Sequence, residues 1–90
     1  MVDTGLLRFI LSRYLYKEDV QDLLEELGLP VTGSKPELVN RLARSPEFDP
    51  SEALSFLRKE ELADLCEEFG LPVSGSRPEL VSRVEEALNV

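Results

Sequence analysis

The sequence predicts an all-α protein built from two tandem helix–extended loop–helix units. Residues 15–42 and 57–84 align without gaps at a constant offset of 42 residues and are identical at 18 of 28 positions. A repeat of this length marks a supersecondary unit that is used twice. Apolar residues recur at the helical period, and no segment shows the two-residue alternation of a half-buried strand. An additional helix precedes each unit, so we expect about six helices in total.

An apolar helix is predicted before the first repeat, with Leu6, Leu7, Phe9, Ile10, Leu11 and Tyr14 around much of its circumference. It would close the core of the first unit or the interface between units; a partner-binding helix is the alternative. The first helix of each repeat then carries one apolar face: Val20, Leu23, Leu24 and Leu27, and in the copy Leu62, Leu65, Cys66 and Phe69. Gly28 and Gly70 follow as the predicted left-handed residues that end these helices.

A short loop and a second helix complete each repeat. Ser34 with Glu37, and Ser76 with Glu79, have the spacing of a capping box, and a proline falls in the first turn after each serine. The buried stripes of the second helices are Leu38, Val39 and Leu42, and Leu80, Val81, Val84 and Leu88.

The repeats are joined by a linker that ends in another helix start, with Asp49 as the N-cap and Pro50 in the first turn. The sequence leaves open whether this helix bends near Leu57 or continues into the next one. We divide the chain into residues 1–45 and 46–90, each a unit with its leading helix. Because units of about 40 residues bury little core alone, packing of the two as one compact domain is the alternative.

Composition argues against several classes of protein. Cys66 is the single cysteine and there is no histidine, so we expect no disulfide, no metal site and no cofactor. Cys66 aligns with Leu24 on the buried face and is expected to be a core residue. No apolar stretch is long enough to span a bilayer, and no secretory signal is evident. We expect an intracellular protein, cytoplasmic or nuclear (or nucleoid), without enzymatic activity and without a membrane partner.

Charge is divided unevenly between the two halves. The net charge is −8, of which residues 1–45 contribute −1 and residues 46–90 contribute −7. A negative protein repels nucleic acid, so the first half is the better candidate for any such contact.

The repeated pattern resembles the SAP domain family. The resemblance lies in a leucine-rich first helix, Gly-Leu, a loop with Gly-Ser-Lys or Gly-Ser-Arg, and then Pro-Glu-Leu-Val and an arginine. It implies small modules that mostly bind DNA, with phosphate contacts at the loop glycine, the basic residue after it and the second-helix arginine. The matching residues are Gly33, Lys35 and Arg41, and then Gly75, Arg77 and Arg83. The first helices depart from the pattern because they are acidic where DNA-binding members usually carry lysines.

The residues themselves support this site in part. The N-terminus of a helix offers unpaired amides and a positive dipole end to a phosphate. The candidate nucleic-acid-binding residues are Thr32, Gly33, Ser34, Lys35, Arg41 and Arg44 in the first half, and Gly75, Ser76, Arg77 and Arg83 in the second. Lys35 and Arg77 show no structural role in the sequence and are the strongest candidates. Capping alone explains Ser34 and Ser76, and an ion pair with the glutamate four residues earlier would equally explain Arg41 and Arg83.

Two functions fit these observations. The first is weak binding of double-stranded DNA, or RNA, without strong sequence preference, because phosphate contacts do not read sequence. The sequence contains no basic strand with aromatic residues on which single-stranded bases would stack. The alternative is a protein-interaction or adaptor module whose acidic helical faces bind a basic protein, with DNA binding absent or limited to the first copy. A charge reversal at Lys35 is expected to abolish DNA binding, and one at Arg77 to change it little.

Overall fold

The computed structural model describes residues 2–89, which form six α-helices and no β-strand. The helices are α1 Thr4–Tyr14, α2 Lys17–Glu26, α3 Lys35–Ala43, α4 Pro50–Leu54, α5 Lys59–Glu68 and α6 Arg77–Leu88. An isolated antiparallel bridge pairs Val2 with Asn89 and brings the two ends of the described chain together. The predicted all-α class with two helix–extended loop–helix units is confirmed.

The second copy repeats the first one helix for helix. α5 begins and ends 42 residues after α2, and α6 begins 42 residues after α3. α4 corresponds to residues 8–12 of α1, so each repeat is preceded by a helix, and α4 ends two residues before the position equivalent to the end of α1. Within each copy the two repeat helices pack against each other, α2 on α3 and α5 on α6.

The helix boundaries follow local chemistry. Gly28 and Gly70 adopt positive φ angles of 72° and 70°, which confirms the predicted left-handed ends of α2 and α5. The Asp3 carboxylate accepts a hydrogen bond from the Leu6 amide at 3.0 Å and caps α1. α4 ends at Leu54, and Arg58 is extended at the start of α5, so the leading helix of the second copy does not continue into the repeat.

One hydrophobic core joins the two copies. α1 packs on α3 of the first copy and also on α4 and α6 of the second. Its buried residues are Leu6, Leu7, Ile10 and Leu11. The predicted core position of Cys66 is confirmed, and burial raises the pKa of its thiol. Among residues 2–89 no polar or charged side chain is buried, so apolar packing holds the copies together. None of the described helices has the length and hydrophobicity that a bilayer crossing requires.

The shared core predicts that both copies unfold together. Ile10→Ala, which truncates a fully buried residue of α1, is expected to lower the free energy of unfolding by about 2–5 kcal/mol. Urea unfolding followed by amide NMR signals should show the α2–α3 and α5–α6 regions losing structure at one urea concentration. Arg8→Ala, at an exposed position of the same helix, is the control and should leave that concentration nearly unchanged. Separate midpoints for the two copies would contradict a common core.

Candidate nucleic-acid interface

The loop before α3 is open to solvent. Thr32, Gly33 and Ser34 are all exposed, so no other part of the described chain covers them. Gly33 has a φ of +129°, a conformation that favours glycine, and a Cβ there would lie 3.5 Å from the Glu37 Cβ. The positive φ angle therefore accounts for the glycine. The exposed loop that contains it lies at the start of α3 and is accessible to a ligand.

A carboxylate already occupies the N-terminus of α3. The Ser34 amide and hydroxyl donate to Glu37 Oε1 at 3.1 and 2.9 Å. These hydrogen bonds lower the pKa of Glu37, because they stabilise its ionised form. The predicted capping box is thus confirmed, and the Glu37 charge competes with any phosphate that approaches the Ser34 amide.

The second copy has the same arrangement at the start of α6. The Ser76 amide and hydroxyl both donate to Glu79 Oε1 at 3.0 Å, and these bonds lower the pKa of Glu79. Gly75 has a φ of +122° and a Cβ on it would lie only 3.3 Å from Glu79 side-chain atoms. The loop of this copy is exposed as well. Both predicted sites therefore have the same geometry, and each contains its own competing carboxylate.

Lys35 and Arg77 have structural roles, so the prediction that they have none is wrong. Lys35 Nζ donates to the Ser12 carbonyl oxygen at 2.7 Å, in the last turn of α1. Arg77 Nη2 donates to the carbonyl oxygens of Leu54 and Leu57 at 3.2 and 2.9 Å, at the end of α4. Carbonyls in the last turn of a helix lack intrahelical partners and attract cations. We call these bonds the repeat-to-leader bonds.

Arg41 and Arg83 hold the loops of their own copies. Arg41 Nη1 donates to the carbonyl oxygens of Pro30 and Thr32 at 2.8 and 3.0 Å. Arg83 Nη1 donates in the same way to the carbonyl oxygens of Pro72 and Ser74. The expected ion pairs with the preceding glutamates do not form. Within residues 2–89 one ion pair is found, between Arg58 and Glu61.

Arg44 lies apart from the other candidates of the first copy. It is the C-cap of α3, at the opposite end of this nine-residue helix from Lys35, which is a length of ~13 Å. It lines a cavity of about 390 Å³ together with Thr4 and Phe48. The structure therefore brings together the loop, Lys35 and Arg41, and leaves Arg44 at another surface.

A groove between the two copies was missed by sequence reasoning. It has a volume of about 300 Å³. Its lining residues are Arg13, Tyr14, Leu15, Tyr16, Asp19, Lys35, Phe56, Arg58 and Glu61, and we call it the inter-repeat groove. Equivalent residues of the two copies line it together, as the pairs Tyr14 and Phe56 or Tyr16 and Arg58 illustrate. The aromatic pair at the 42-residue offset is the one signal of this groove in the sequence.

Two acidic surfaces lie on the first helices of the repeats. Asp22, Glu25 and Glu26 line a hollow on α2. Asp64, Glu67 and Glu68 of α5 line another, together with Arg13. No group of three or more metal-ligating side chains suited to a metal ion is found among the described residues.

The repeat-to-leader bonds predict unequal losses of stability. Arg77→Met removes bonds to three different carbonyls, whereas Lys35→Met removes one. We expect the free energy of unfolding to fall by about 2 kcal/mol for Arg77→Met and by about 1 kcal/mol or less for Lys35→Met. Urea unfolding of both variants measures the difference. Equal losses would show that the number of carbonyl partners does not matter.

Comparison with known protein families agrees with this architecture. The SAP domain family model matches residues 14–45 and 54–89, which together make up more than two thirds of the chain. Neither a curated protein nor a solved structure matches the chain significantly. Each matched segment contains one helix–extended loop–helix unit, and membership of the family indicates a nucleic-acid partner in general. The chain belongs to the SAP domain family and contains two tandem SAP units.

Proposed function

We propose that this protein binds double-stranded DNA weakly and without strong sequence preference, mainly through the first SAP unit. The observation that carries the proposal is the open loop at Thr32–Ser34 with a lysine directly after it, in the half of the chain whose net charge is only −1. Phosphate contacts of this kind position a protein on the duplex but do not read its sequence.

The first unit retains donors for a phosphate. Lys35 uses one N–H for the Ser12 carbonyl, and an ammonium group has three. The Arg41 side chain uses Nη1 for the loop carbonyls and makes no other hydrogen bond within residues 2–89. With the Thr32 hydroxyl, two or three phosphate contacts are available. Binding should therefore lie on the order of 10⁻⁴–10⁻⁶ M, as for non-specific complexes.

The second unit is less suited to DNA. Arg77 uses both Nε and Nη2 for the carbonyl oxygens of residues 54, 55 and 57. Its half of the chain carries a net charge of −7, which repels the phosphate backbone. The two units therefore share a fold and differ mainly in the charge that they offer to a duplex.

A protein partner is the second candidate function. It is favoured by the open acidic hollows on α2 and α5, whose carboxylates include Asp22, Glu25, Asp64 and Glu67. Such surfaces would attract a basic protein and speed its association. In both cases the proposed role is binding without catalysis, in an intracellular setting, nuclear or cytoplasmic.

Substitution of Lys35 tests whether the first unit contributes more to DNA binding than the second. Lys35→Gln is expected to weaken binding to a short duplex about tenfold at low salt and to reduce the salt slope by about 0.9, the value for one lost phosphate contact. The matched variant Arg77→Gln should change the affinity less than about twofold. Anisotropy titrations at several salt concentrations measure both effects, with circular dichroism to establish that each variant is folded. Equal losses would contradict the difference between the units.

Removal of the competing Glu37 carboxylate is expected to strengthen DNA binding. Glu37→Gln keeps an acceptor for the Ser34 amide but removes the negative charge at the start of α3, so duplex affinity should increase about threefold. Glu79→Gln is the control in the second copy and should have a smaller effect.

Absence of duplex binding by the wild-type protein at low salt, with capture on an immobilised basic protein, would favour the protein-interaction function.

A further inference from the structure

We propose that the inter-repeat groove binds one unpaired nucleotide, so that the protein prefers DNA with a single-stranded overhang to a blunt duplex. This inference rests on the proposed function, because it assumes a nucleic-acid ligand. It names the form of DNA that the protein recognises and assigns a role to residues outside the SAP loop. Those residues are Arg13, Tyr16, Phe56 and Arg58.

The groove exposes aromatic rings that the core does not use. The Tyr16 side chain is 75% exposed and Phe56 is 38% exposed, whereas 22 apolar residues among residues 2–89 are buried. Both aromatic residues line the same space, one from each copy. Aromatic rings stack on any nucleobase, because every base has a π face. The volume of about 300 Å³ is at the lower end for ligand pockets and suits one nucleotide rather than a longer segment.

Cations outnumber carboxylates in the groove, although acids outnumber bases in the whole chain. Arg13, Lys35 and Arg58 line it together with Asp19 and Glu61. Both carboxylates already accept backbone amide hydrogens: Asp19 from Tyr16 at 2.9 Å, and Glu61 from Arg58 at 2.9 Å. They also serve as helix caps, and Glu61 forms the ion pair with Arg58, so the cations of the groove exceed its carboxylates by one, and this excess attracts a phosphate.

Arg13 is held in place by aromatic rings. Its guanidinium carbon lies 5.6 Å from the centre of the Phe9 ring and 5.8 Å from that of Tyr14. Cation–π contacts of this kind fix the side chain without consuming its hydrogen-bond donors. Arg13 therefore contributes a positioned charge to the groove that the exposed Tyr16 ring also lines, and it borders the acidic hollow of α5 on another side.

The groove is continuous with the duplex site through Lys35. This residue lines the groove and also begins α3, directly after the exposed loop at residues 32–34. A duplex that is bound at that loop by its end can extend an unpaired strand into the groove. An acidic side chain would use the cations but not the two exposed rings, whereas a nucleotide engages the cations with its phosphate and the rings with its base, and for this reason we assign a nucleotide.

The test compares three forms of DNA with the full chain at low salt: a blunt duplex, the same duplex with a three-nucleotide overhang, and the overhang strand alone. Anisotropy titrations are expected to show the overhang duplex bound about tenfold more tightly than the blunt one, the gain of one stacked base. Tyr16→Ala and Phe56→Ala should each reduce this preference without weakening binding of the blunt duplex. Tyr16→Phe should keep it, as should Val73→Ala, an exposed apolar residue outside the groove.

Tyrosine emission gives a direct second measurement. The chain has no tryptophan and two tyrosines, so stacking on Tyr16 should quench the intrinsic fluorescence, and Tyr16→Phe should remove most of the quenching. Equal affinities for the overhang and blunt duplexes would overturn the groove inference and leave the proposed function intact. A preference that survives in Tyr16→Ala/Phe56→Ala would also overturn it. Failure to bind any of the three DNAs would overturn the proposed function itself, and quenching by a glutamate-rich peptide but not by DNA would assign the groove to a protein partner.

Discussion

In both copies the first residue of the second repeat helix is a cation bonded to the end of the helix that precedes the repeat. Lys35 reaches the Ser12 carbonyl of α1, and Arg77 reaches the Leu54 and Leu57 carbonyls at the end of α4. This bond fixes the leading helix against the repeat and supplies partners for carbonyls that a helix end leaves free. The difference between the cations matches the helices they hold. α1 has 11 residues, whereas α4 has five and would be marginal alone, so the residue with more donors serves the shorter helix.

The same bonds determine the position of a cation that is available to a phosphate. Lys35 is drawn toward the meeting place of the two copies, where Arg13 and Arg58 are also found. Three carboxylates of α2 and three of α5 line other hollows, whereas Asp19 and Glu61 line the groove and cap these helices. A protein with a net charge of −8 can therefore keep a local surface on which cations predominate. The overall charge weakens the attraction of the protein to nucleic acid, and in the proposed function this local excess of cations offsets the repulsion at one place.

Interactions between residues that are close in the sequence were predictable, and those between residues far apart in the sequence were not. The capping boxes at Ser34 and Ser76 and the left-handed glycines depend on neighbours three or four residues away, so spacing was sufficient to identify them. The partners of Lys35 and Arg77 lie 23 and 20 residues earlier in the chain, and only packing brings them together. The groove needs residues from both copies for the same reason. The separation of Arg44 from Lys35 follows simply from the length of α3.

The central claim is that nucleic acid contacts the place where the two SAP units meet. Amide chemical shifts of the full chain, recorded during addition of a short duplex that carries an overhang, test it most directly. The account predicts that the largest changes fall at residues 13–16, 32–35 and 56–58, with little change at residues 44–50. Changes confined to the acidic residues of α2 and α5, or none in dilute buffer, would contradict it and leave the tandem architecture without this function.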